Sequence, residues 1–318
     1  MVKIHPLEER SVYLQICGLC CYIGCPPIPE SIARKLAFHP PKKGASYTVH
    51  RVGHPEKKVN GADEVELTRS LPLFTNCYHF VNNFLKNLRM AVPELKVKSL
   101  VTNSVKKYKN FQVIIFTQPN SSDLGNFLQP RFMNLTQFAD IFEVDVYGFD
   151  YSGYGYSTGT VSEKDIYADI RAIYDYVLRT RPDKQIVLLG YSIGTTAVVD
   201  LASSHPKRLA GVILVAPFTS GLRLLGNKPR SEKTHFLDRF NSCDKVGDID
   251  VPVLICHGGN DTVVPFEHGV ELHEKLKKPV TPLIVYGADH QSILNGAYPE
   301  TFCRIHRLVM VTRRRDDF

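Results

Sequence analysis

Long apolar segments are missing from this sequence of 318 residues. A helix that crosses a bilayer needs about 18 or more predominantly apolar residues in a row, and no stretch of the chain approaches that length. Internal repeats and low-complexity tracts are missing as well, so repeat architectures are not indicated. The chain is 43% apolar, which is enough to bury a full core. We therefore expect one large globular domain with extensions.

Two classes of site are disfavoured by what the sequence lacks. Four of the eight cysteines fall between residues 17 and 25, but no second cluster lies at ligand spacing to complete a zinc site. The net charge is +7, yet no nucleic-acid reader motif or interleaved aromatic platform accompanies the basic residues. We expect no metal, no cofactor and no nucleic-acid partner.

Apolar stretches of strand length alternate with helical patterns from about residue 112 onward. This alternation predicts a mostly parallel central sheet with helices on both faces, the α/β class. A helix is predicted over 162–178, because Ser162 can cap it and apolar residues then recur at helical spacing. The predicted strands are 112–117, 144–149, 185–189, 212–216, 253–257 and 283–286.

A Gly-x-Ser-x-Gly run lies where the third predicted strand meets a helical pattern. It covers residues 190–194, with Ser192 at its centre. In a nucleophile elbow, this sharp turn lifts the serine hydroxyl out of the sheet. The glycines avoid collisions with the neighbouring strand and helix. The setting predicts that Ser192 is the nucleophile of a serine hydrolase.

A serine nucleophile needs a histidine base and a carboxylate that orients the histidine, in the chain order serine, acid, histidine. Asp261 follows one apolar strand and His290 follows the next. His257 precedes the acid and is in the wrong order, while Asp289 cannot easily face the ring of its own neighbour. The order therefore predicts Ser192, Asp261 and His290 as the catalytic triad.

The N-terminal cysteines lie in a short apolar stretch, and they are Cys17, Cys20, Cys21 and Cys25. Reversible S-acylation of these side chains would turn a weak hydrophobic signal into stable membrane anchoring. Structural or free thiols and a metal site are the less favoured alternatives, and a disulfide knot would need an oxidising compartment. We expect residues 1–60 to be a Cys-rich, basic membrane-anchoring segment and residues 61–318 to be the α/β domain.

Basic charge is concentrated outside the predicted motifs. Residues 1–60 carry nine Lys and Arg against four acidic residues, residues 77–110 carry seven against one, and residues 111–318 carry 22 against 24. Anionic lipids attract such segments at roughly 1 kcal/mol per basic residue near the surface. The charge predicts an anionic membrane surface as a partner, with a solvated basic face as an equal alternative for 96–109.

Several longer blocks of the sequence resemble one family of hydrolases. The blocks are 150–155, 167–169, 192–195, 199–203 and 219–221, together with the clustered cysteines and the following residues 26–27 and 32–38. They are similar to the alpha/beta hydrolase domain-containing protein 17 family, membrane-anchored serine hydrolases that remove palmitate from cysteines of other proteins. The resemblance covers most of the chain and implies the alpha/beta-hydrolase fold. The family's catalytic serine, aspartate and histidine fall on Ser192, Asp261 and His290.

The chain departs from this family at two places. Relatives usually carry His-Gly where this chain has Gln118 and Pro119, in a loop that supplies one backbone N–H to the oxyanion. We expect Ile193 and Asn120 to supply the two N–H groups, although Pro119 has no N–H and restricts Gln118. A lost donor costs on the order of 10²–10³ in rate. The second departure is a basic insertion at about 77–110, interpreted as a lid, a membrane contact or a tolerated surface insertion.

The resemblance implies a palmitoyl-protein thioesterase at the cytoplasmic face of the plasma membrane or endosomes, held there by N-terminal acylation. Its partners would be S-palmitoylated proteins, and we expect a monomer. Two alternatives stay open. One is a binding protein with a weakened site, motivated by Gln118 and Pro119, and the other is an esterase for lipids or small esters, because fold and triad do not fix the substrate.

Overall fold

The computed structural model of the protein describes residues 37–43, 45–46, 49–51, 54–59, 111–128, 134–226, 229–230 and 234–313. The chain divides into two compact units, Met1–His39 and Pro40–Phe318, and every element below belongs to the second. The four N-terminal cysteines predicted to be acylated and the 77–110 segment lie outside the described residues.

A parallel sheet of six strands forms the centre of the second unit. The strands are β3 (Gln112–Thr117), β4 (Asp145–Gly148), β5 (Gln185–Tyr191), β6 (Leu209–Val215), β7 (Val253–Gly258) and β8 (Leu283–Val285). Their order is β4-β3-β5-β6-β7-β8, and each neighbouring pair is parallel. A separate antiparallel pair consists of β1 (Val49–Arg51) and β2 (His54–Val59). All six predicted strands of the central sheet are present, with ends that differ by up to three residues.

Helices connect the parallel strands, and one further helix follows β8. They are α1 (Leu135–Phe142), α2 (Glu163–Thr180), α3 (Gly194–Ala202), α4 (Gly221–Leu225), α5 (Glu267–Glu274) and α6 (Pro299–Arg313). The predicted start of α2 is confirmed, because the Ser162 side chain accepts a hydrogen bond from the Asp165 N–H. Glu163 and Asp165 place negative charge in its first turn, where the helix dipole favours it.

Alternate side chains of the strands pack on opposite faces of the sheet. On one face, Ile114 and Phe116 of β3 belong to a core that includes Phe138 of α1 and Phe302 of α6. On the other face, where α2 and α3 pack on β3, Val113 and its alternate neighbours are equally buried. A strand covered on both sides needs a continuous apolar run, which is the pattern that β3 shows. The prediction of helices on both faces is confirmed.

Because the six strands run in one direction, their carboxyl ends meet at one edge of the sheet, here called the carboxyl edge. Ser192 follows β5 at this edge, and the loops after β7 and β8 carry Asp261 and His290. The last turn of α6 lies at the opposite edge, where the Gln112 amide donates to Thr312 Oγ1 at 2.9 Å. The topology therefore gathers the three predicted side chains at one edge.

Candidate active site

Ser192 lies in a tight turn between β5 and α3. Its φ is +54°, in the left-handed region that non-glycine residues rarely adopt. Its N–H donates to the Val215 carbonyl of β6 at 2.9 Å. A Cβ on Gly190 would lie 2.7 Å from the Thr195 Cα, and a Cβ on Gly194 would lie 2.4 Å from the Thr117 carbonyl oxygen. Glycine is therefore required at both positions, and the turn has the geometry of a nucleophile elbow.

Three side chains that are distant in sequence form one hydrogen-bonded chain at the carboxyl edge. His290 Nε2 lies 3.1 Å from Ser192 Oγ, and His290 Nδ1 lies 2.7 Å from Asp261 Oδ2. An ionised carboxylate only accepts hydrogen bonds, so Nδ1 carries the proton and the Nε2 lone pair faces the serine hydroxyl. In this tautomer the imidazole can take a proton from the serine.

Hydrogen-bond donors surround the Asp261 carboxylate. The N–H groups of Val263 and Val264 donate to Oδ1 at 2.9 and 2.8 Å. The buried His257 ring brings Nε2 to 3.5 Å from Oδ2. Burial opposes ionisation, but the contacts from His257 and His290 and the Val264 N–H outweigh it and hold the pKa of Asp261 well below its usual range. The carboxylate is therefore charged at neutral pH.

His257 contacts the acid rather than the serine. Its Nε2 lies 2.8 Å from the Val264 carbonyl oxygen, which only accepts, so Nε2 carries a proton. Gly269 of α5 leaves room for the ring, because a Cβ there would lie 2.7 Å from His257 Nδ1. The chain order of serine, acid and histidine favoured His290 over His257 as the base. That order gave no sign that His257 contacts Asp261. The available signal was a polar side chain inside the otherwise apolar strand β7.

The residue before the serine supports the histidine loop. The Tyr191 hydroxyl donates to the His290 backbone carbonyl, and the two rings lie with centroids 5.6 Å apart. Burial, together with the nearby carboxylates of Asp261 and Asp289, raises the pKa of Tyr191. The hydroxyl therefore remains a donor at physiological pH. Sequence reasoning missed this contact, because the variable position of a Gly-x-Ser-x-Gly run carries no such signal.

Side-chain hydrogen bonds hold the loop that follows β3. Gln118 is buried, and its amide donates to Asp150 Oδ1 at 3.1 Å. The Tyr151 hydroxyl donates to the Gln118 carbonyl at 2.6 Å, and the Tyr154 hydroxyl donates to Asn120 Oδ1 at 2.7 Å. Burial raises the pKa of Tyr151 well above its usual value, so this hydroxyl is a donor. Gln118, where relatives usually carry histidine, is thus part of a connected polar network.

The same loop is joined directly to the elbow. Thr117 Oγ1, at the end of β3, donates to the carbonyls of Leu189 and Gly194 at 3.2 and 3.0 Å. Ile193 stands at the N-cap of α3, the positive end of the helix dipole. The two predicted N–H donors, on Ile193 and Asn120, therefore belong to connected segments. Their contact with an oxyanion stays a prediction.

Neither a metal centre nor a membrane span is found in the part of the chain that the structure describes. There, no group of three or more His, Cys, Asp and Glu side chains is placed to hold a metal ion. None of the helices in these same residues combines the length and the apolar character needed to cross a bilayer.

The comparisons with known proteins agree with this architecture. A family described as the alpha/beta hydrolase fold matches residues 113–232. The chain is 34% identical to Homo sapiens alpha/beta hydrolase domain-containing protein 17B over 300 residues, covering 90% of this chain and 94% of the relative. It is 35% identical over 299 residues to the Caenorhabditis elegans alpha/beta hydrolase domain-containing protein aho-3, covering 89% and 80%.

A solved structure with the same fold is an esterase from Pyrococcus furiosus. It superposes on this chain with a TM-score of 0.52 at 19% identity. The superposition covers 64% of this chain and 82% of the esterase. Similarity at this level of identity shows the fold alone.

Proposed function

The chain belongs to the alpha/beta hydrolase domain-containing protein 17 family, and from that premise we propose that it is a palmitoyl-protein thioesterase. It would cleave the thioester of S-palmitoylated cysteines on membrane-associated proteins. The observation that carries the proposal is the chain of contacts from Ser192 to His290 at 3.1 Å and from His290 to Asp261 at 2.7 Å. The choice of a thioester comes from the family resemblance of the sequence.

The first half of the reaction transfers the acyl group to the enzyme. Ser192 Oγ attacks the thioester carbonyl carbon while His290 Nε2 takes the hydroxyl proton. The N–H groups of Ile193 and Asn120 stabilise the oxyanion, and the Asp261 carboxylate stabilises the imidazolium. The carbon–sulfur bond then breaks and His290 returns the proton to the sulfur. Because a thiolate is a good leaving group, this proton matters less than it would for an amide.

The second half releases palmitate. His290 takes a proton from a water molecule, and the water oxygen attacks the acyl-serine carbonyl carbon. The same N–H groups hold the second oxyanion. The bond to Ser192 Oγ breaks, His290 protonates that oxygen, and the free acid leaves. His290 carries out every proton transfer in this cycle.

Labelling with a fluorophosphonate probe tests the nucleophile. We expect the purified protein to be labelled at Ser192, because the probe reacts with activated serines. Ser192→Ala should lose the label and lower thioester turnover by roughly 10³-fold or more. Ser203→Ala is the matched control, since Ser203 caps the far end of α3, and it should keep both properties.

Relative rates test the substrate class. We expect kcat/KM to be higher for an S-palmitoyl peptide than for a monoacylglycerol, and the opposite preference would identify a lipid esterase. The wild-type protein could instead fail to react with the fluorophosphonate probe and react only after Gln118→His with Pro119→Gly. That result would indicate a weakened hydrolase that acts as a binding protein.

We also propose a location for the protein, at the cytoplasmic face of the plasma membrane or endosomes. The proposal rests on the apolar, basic N-terminal sequence with its four clustered cysteines. Replacing Cys17, Cys20, Cys21 and Cys25 by Ser should move most of the protein into the soluble fraction of a cell lysate. Unchanged membrane residence would contradict acylation as the anchor.

A further inference from the structure

One amide nitrogen donates two hydrogen bonds in the loop that follows β3, residues 118–124. Gln118 Nε2 lies 3.0 Å from the Ser122 carbonyl oxygen and 3.1 Å from Asp150 Oδ1. Because a carbonyl oxygen only accepts hydrogen bonds, the nitrogen and not the oxygen of the amide faces Ser122. The first bond closes the loop on itself, and the second joins it to the segment after β4.

An imidazole at position 118 could not make this pair of bonds. Each ring nitrogen carries at most one hydrogen, and the two nitrogens face different sides of the ring. The Ser122 carbonyl and the Asp150 carboxylate would therefore compete for a single N–H. The loop of this chain is built for an amide at position 118, and the histidine that is usual in relatives would leave one of the two bonds unmade.

A second set of bonds fixes Asn120, whose N–H is a predicted donor to the oxyanion. Its side-chain Oδ1 accepts the Ser121 N–H at 3.0 Å and the Tyr154 hydroxyl at 2.7 Å. Ser121 has φ +58°, in the left-handed region, so the backbone turns sharply directly after Asn120. Tyr154 is fully buried and packs edge-on against Tyr151, with ring centroids 5.5 Å apart. The orientation of Asn120 therefore depends on a rigidly held hydroxyl.

The start of the loop touches the residue that begins α3. A Cβ on Gly194 would lie 2.8 Å from the Gln118 carbonyl oxygen, so the two backbones are in direct contact. The same carbonyl accepts the Tyr151 hydroxyl at 2.6 Å. Ile193, the other predicted donor, directly precedes Gly194. The loop is thus held by the segment after β4 while it lies against the nucleophile elbow.

The aim of one N–H group decides whether this loop contributes to the reaction. Pro119 has no N–H, so the predicted donor is the next one along the chain, that of Asn120. A misplacement of about 1 Å can cost on the order of 10²-fold in rate. The bonds of Gln118 and Tyr154 fix the loop on both sides of Pro119 and so restrict such a shift.

We propose that Gln118 and Tyr154 are positioning residues that aim the Asn120 N–H at the oxyanion. The pair of Gln118 and Pro119 then forms a working oxyanion loop in place of His-Gly. The proposal deepens the proposed function and rests on it. It makes the departure from the family at this loop a different construction of the same site, and not a defect.

Turnover of a soluble short-chain thioester tests Tyr154. We expect Tyr154→Phe to lower kcat about tenfold with KM within about twofold, because an oxyanion donor acts in the transition state more than on bound substrate. Tyr167→Phe is the matched control. Its hydroxyl also donates to a side-chain oxygen, Glu163 Oε1 at 2.9 Å, but it lies on α2, so kcat should stay unchanged. Equal losses of kcat in both variants would overturn the role of Tyr154.

A trifluoromethyl ketone tests the oxyanion directly. Ser192 Oγ adds to the ketone carbon, His290 takes the hydroxyl proton, and the former carbonyl oxygen becomes an oxyanion. We expect the inhibition constant of Tyr154→Phe to rise about tenfold, by the same factor as kcat/KM falls, because the adduct resembles the transition state. A lower kcat with unchanged inhibition would show that the hydroxyl acts elsewhere.

Two substitutions test the amide of Gln118. We expect Gln118→His to lower kcat about tenfold, although it restores the residue usual in relatives, because one of the two bonds is lost. Gln118→Met keeps the length of the side chain, removes both donors and should lose at least as much. Urea denaturation shows which variants are folded at the assay temperature. An unchanged or higher kcat in a folded variant would overturn the role of Gln118.

A soluble ester with the same acyl group separates this proposal from the proposed function. If the wild type cleaves the ester but not the thioester, and Tyr154→Phe lowers the ester rate, the thioesterase would be overturned and the oxyanion loop would stand. The opposite case is a wild type that is inactive on both substrates and gains turnover after Gln118→His with Pro119→Gly. That result would overturn the loop.

Discussion

At the scale of single residues, we expect Tyr191 to position His290, the proposed base. Its hydroxyl donates to the carbonyl of His290, a residue that must present Nε2 to Ser192 and Nδ1 to Asp261 at once. The backbone of the loop that carries His290 is thereby joined to the end of β5, directly before Ser192. A small shift of this loop would lengthen both imidazole contacts.

Replacing Tyr191 by Phe removes the hydroxyl and keeps the ring against the imidazole. We expect kcat to fall about tenfold with KM nearly unchanged, because the base is displaced while the acyl site is not. The measurement is steady-state turnover of a thioester, together with the rate of fluorophosphonate labelling.

Tyr174→Phe is the matched control for this substitution. The Tyr174 hydroxyl also donates to a backbone carbonyl, that of Lys207 at 2.9 Å, but it lies on α2. We expect the free energy of unfolding of the Tyr174→Phe variant to fall by about 1 kcal/mol, with kcat unchanged. Equal loss of kcat in both variants would show that the Tyr191 hydroxyl has a general structural role only.

At the scale of elements, the turn from β5 to α3 depends on close packing against β3. Gly194 begins α3 with its Cα directly beside the end of β3, and Thr117 uses its hydroxyl to bond the Gly194 carbonyl. Backbone atoms form both sides of this contact, so neither side can yield by changing a rotamer. The elbow and the loop after β3 therefore form one packed unit.

Substituting Gly194 by Ala tests this packing. A Cβ would lie 2.4 Å from the Thr117 carbonyl oxygen, so β3 and α3 would have to separate. We expect the free energy of unfolding to drop by about 3 kcal/mol, as for other overpacked sites. Urea denaturation followed by far-UV circular dichroism measures this change, since the chain contains no Trp.

Gly226→Ala provides the comparison. Gly226 ends α4 with φ −83°, an ordinary helical value, and its Cβ would come no closer than 3.2 Å to a backbone oxygen. We expect a change within about 1 kcal/mol of zero. If the two substitutions were equally destabilising, tight packing at the elbow would not be the cause.

At the scale of the whole molecule, a buried histidine links stability to pH. His268 of α5 is fully buried, with Nδ1 2.8 Å from Thr219 Oγ1. Burial, and then the nearby His257, lower the pKa of His268 to about 4. The unfolded chain, with a histidine pKa of about 6.5, takes up a proton in a pH range where the folded chain does not.

We therefore expect the free energy of unfolding to fall as pH drops from about 6.5 to about 4, and the loss to level off below that. The contribution of His268 is about 3 kcal/mol across this window, from the difference between the two pKa values. His268→Asn keeps a polar group near Thr219 but cannot be protonated in this range. It should be less stable at pH 7 and show a flatter decline.

The control for this experiment is the exposed His235, replaced by Asn. The free energy of unfolding of this variant should follow the wild-type pH profile, because the substitution leaves His268 and its buried surroundings unchanged. Urea denaturation at half-unit steps between pH 4 and pH 7 gives the curves. A His268→Asn curve parallel to that of the wild type would assign the pH dependence to other groups.

The amino-acid sequence by itself determined the sheet and the chain order of the three candidate residues, Ser192, Asp261 and His290. Runs such as Val113–Phe116 are apolar at every position, because both faces of a central strand are buried, and this pattern is local. The start of α2 could likewise be predicted from the sequence, because the capping residue Ser162 and the apolar residues at helical spacing are close together in the chain. The start of β6 was missed by three residues, because Leu209, Ala210 and Gly211 carry little strand signal on their own. Leu209 and Gly211 belong to the strand because they pair with β5.

Only the tertiary structure decided how the loops at the carboxyl edge contact one another. The bond from Tyr191 to His290 and the network around Gln118 each join segments that lie on different strands or loops. Local periodicity records which side chains are buried, whereas contacts between distant loops depend on where the strand ends meet in space.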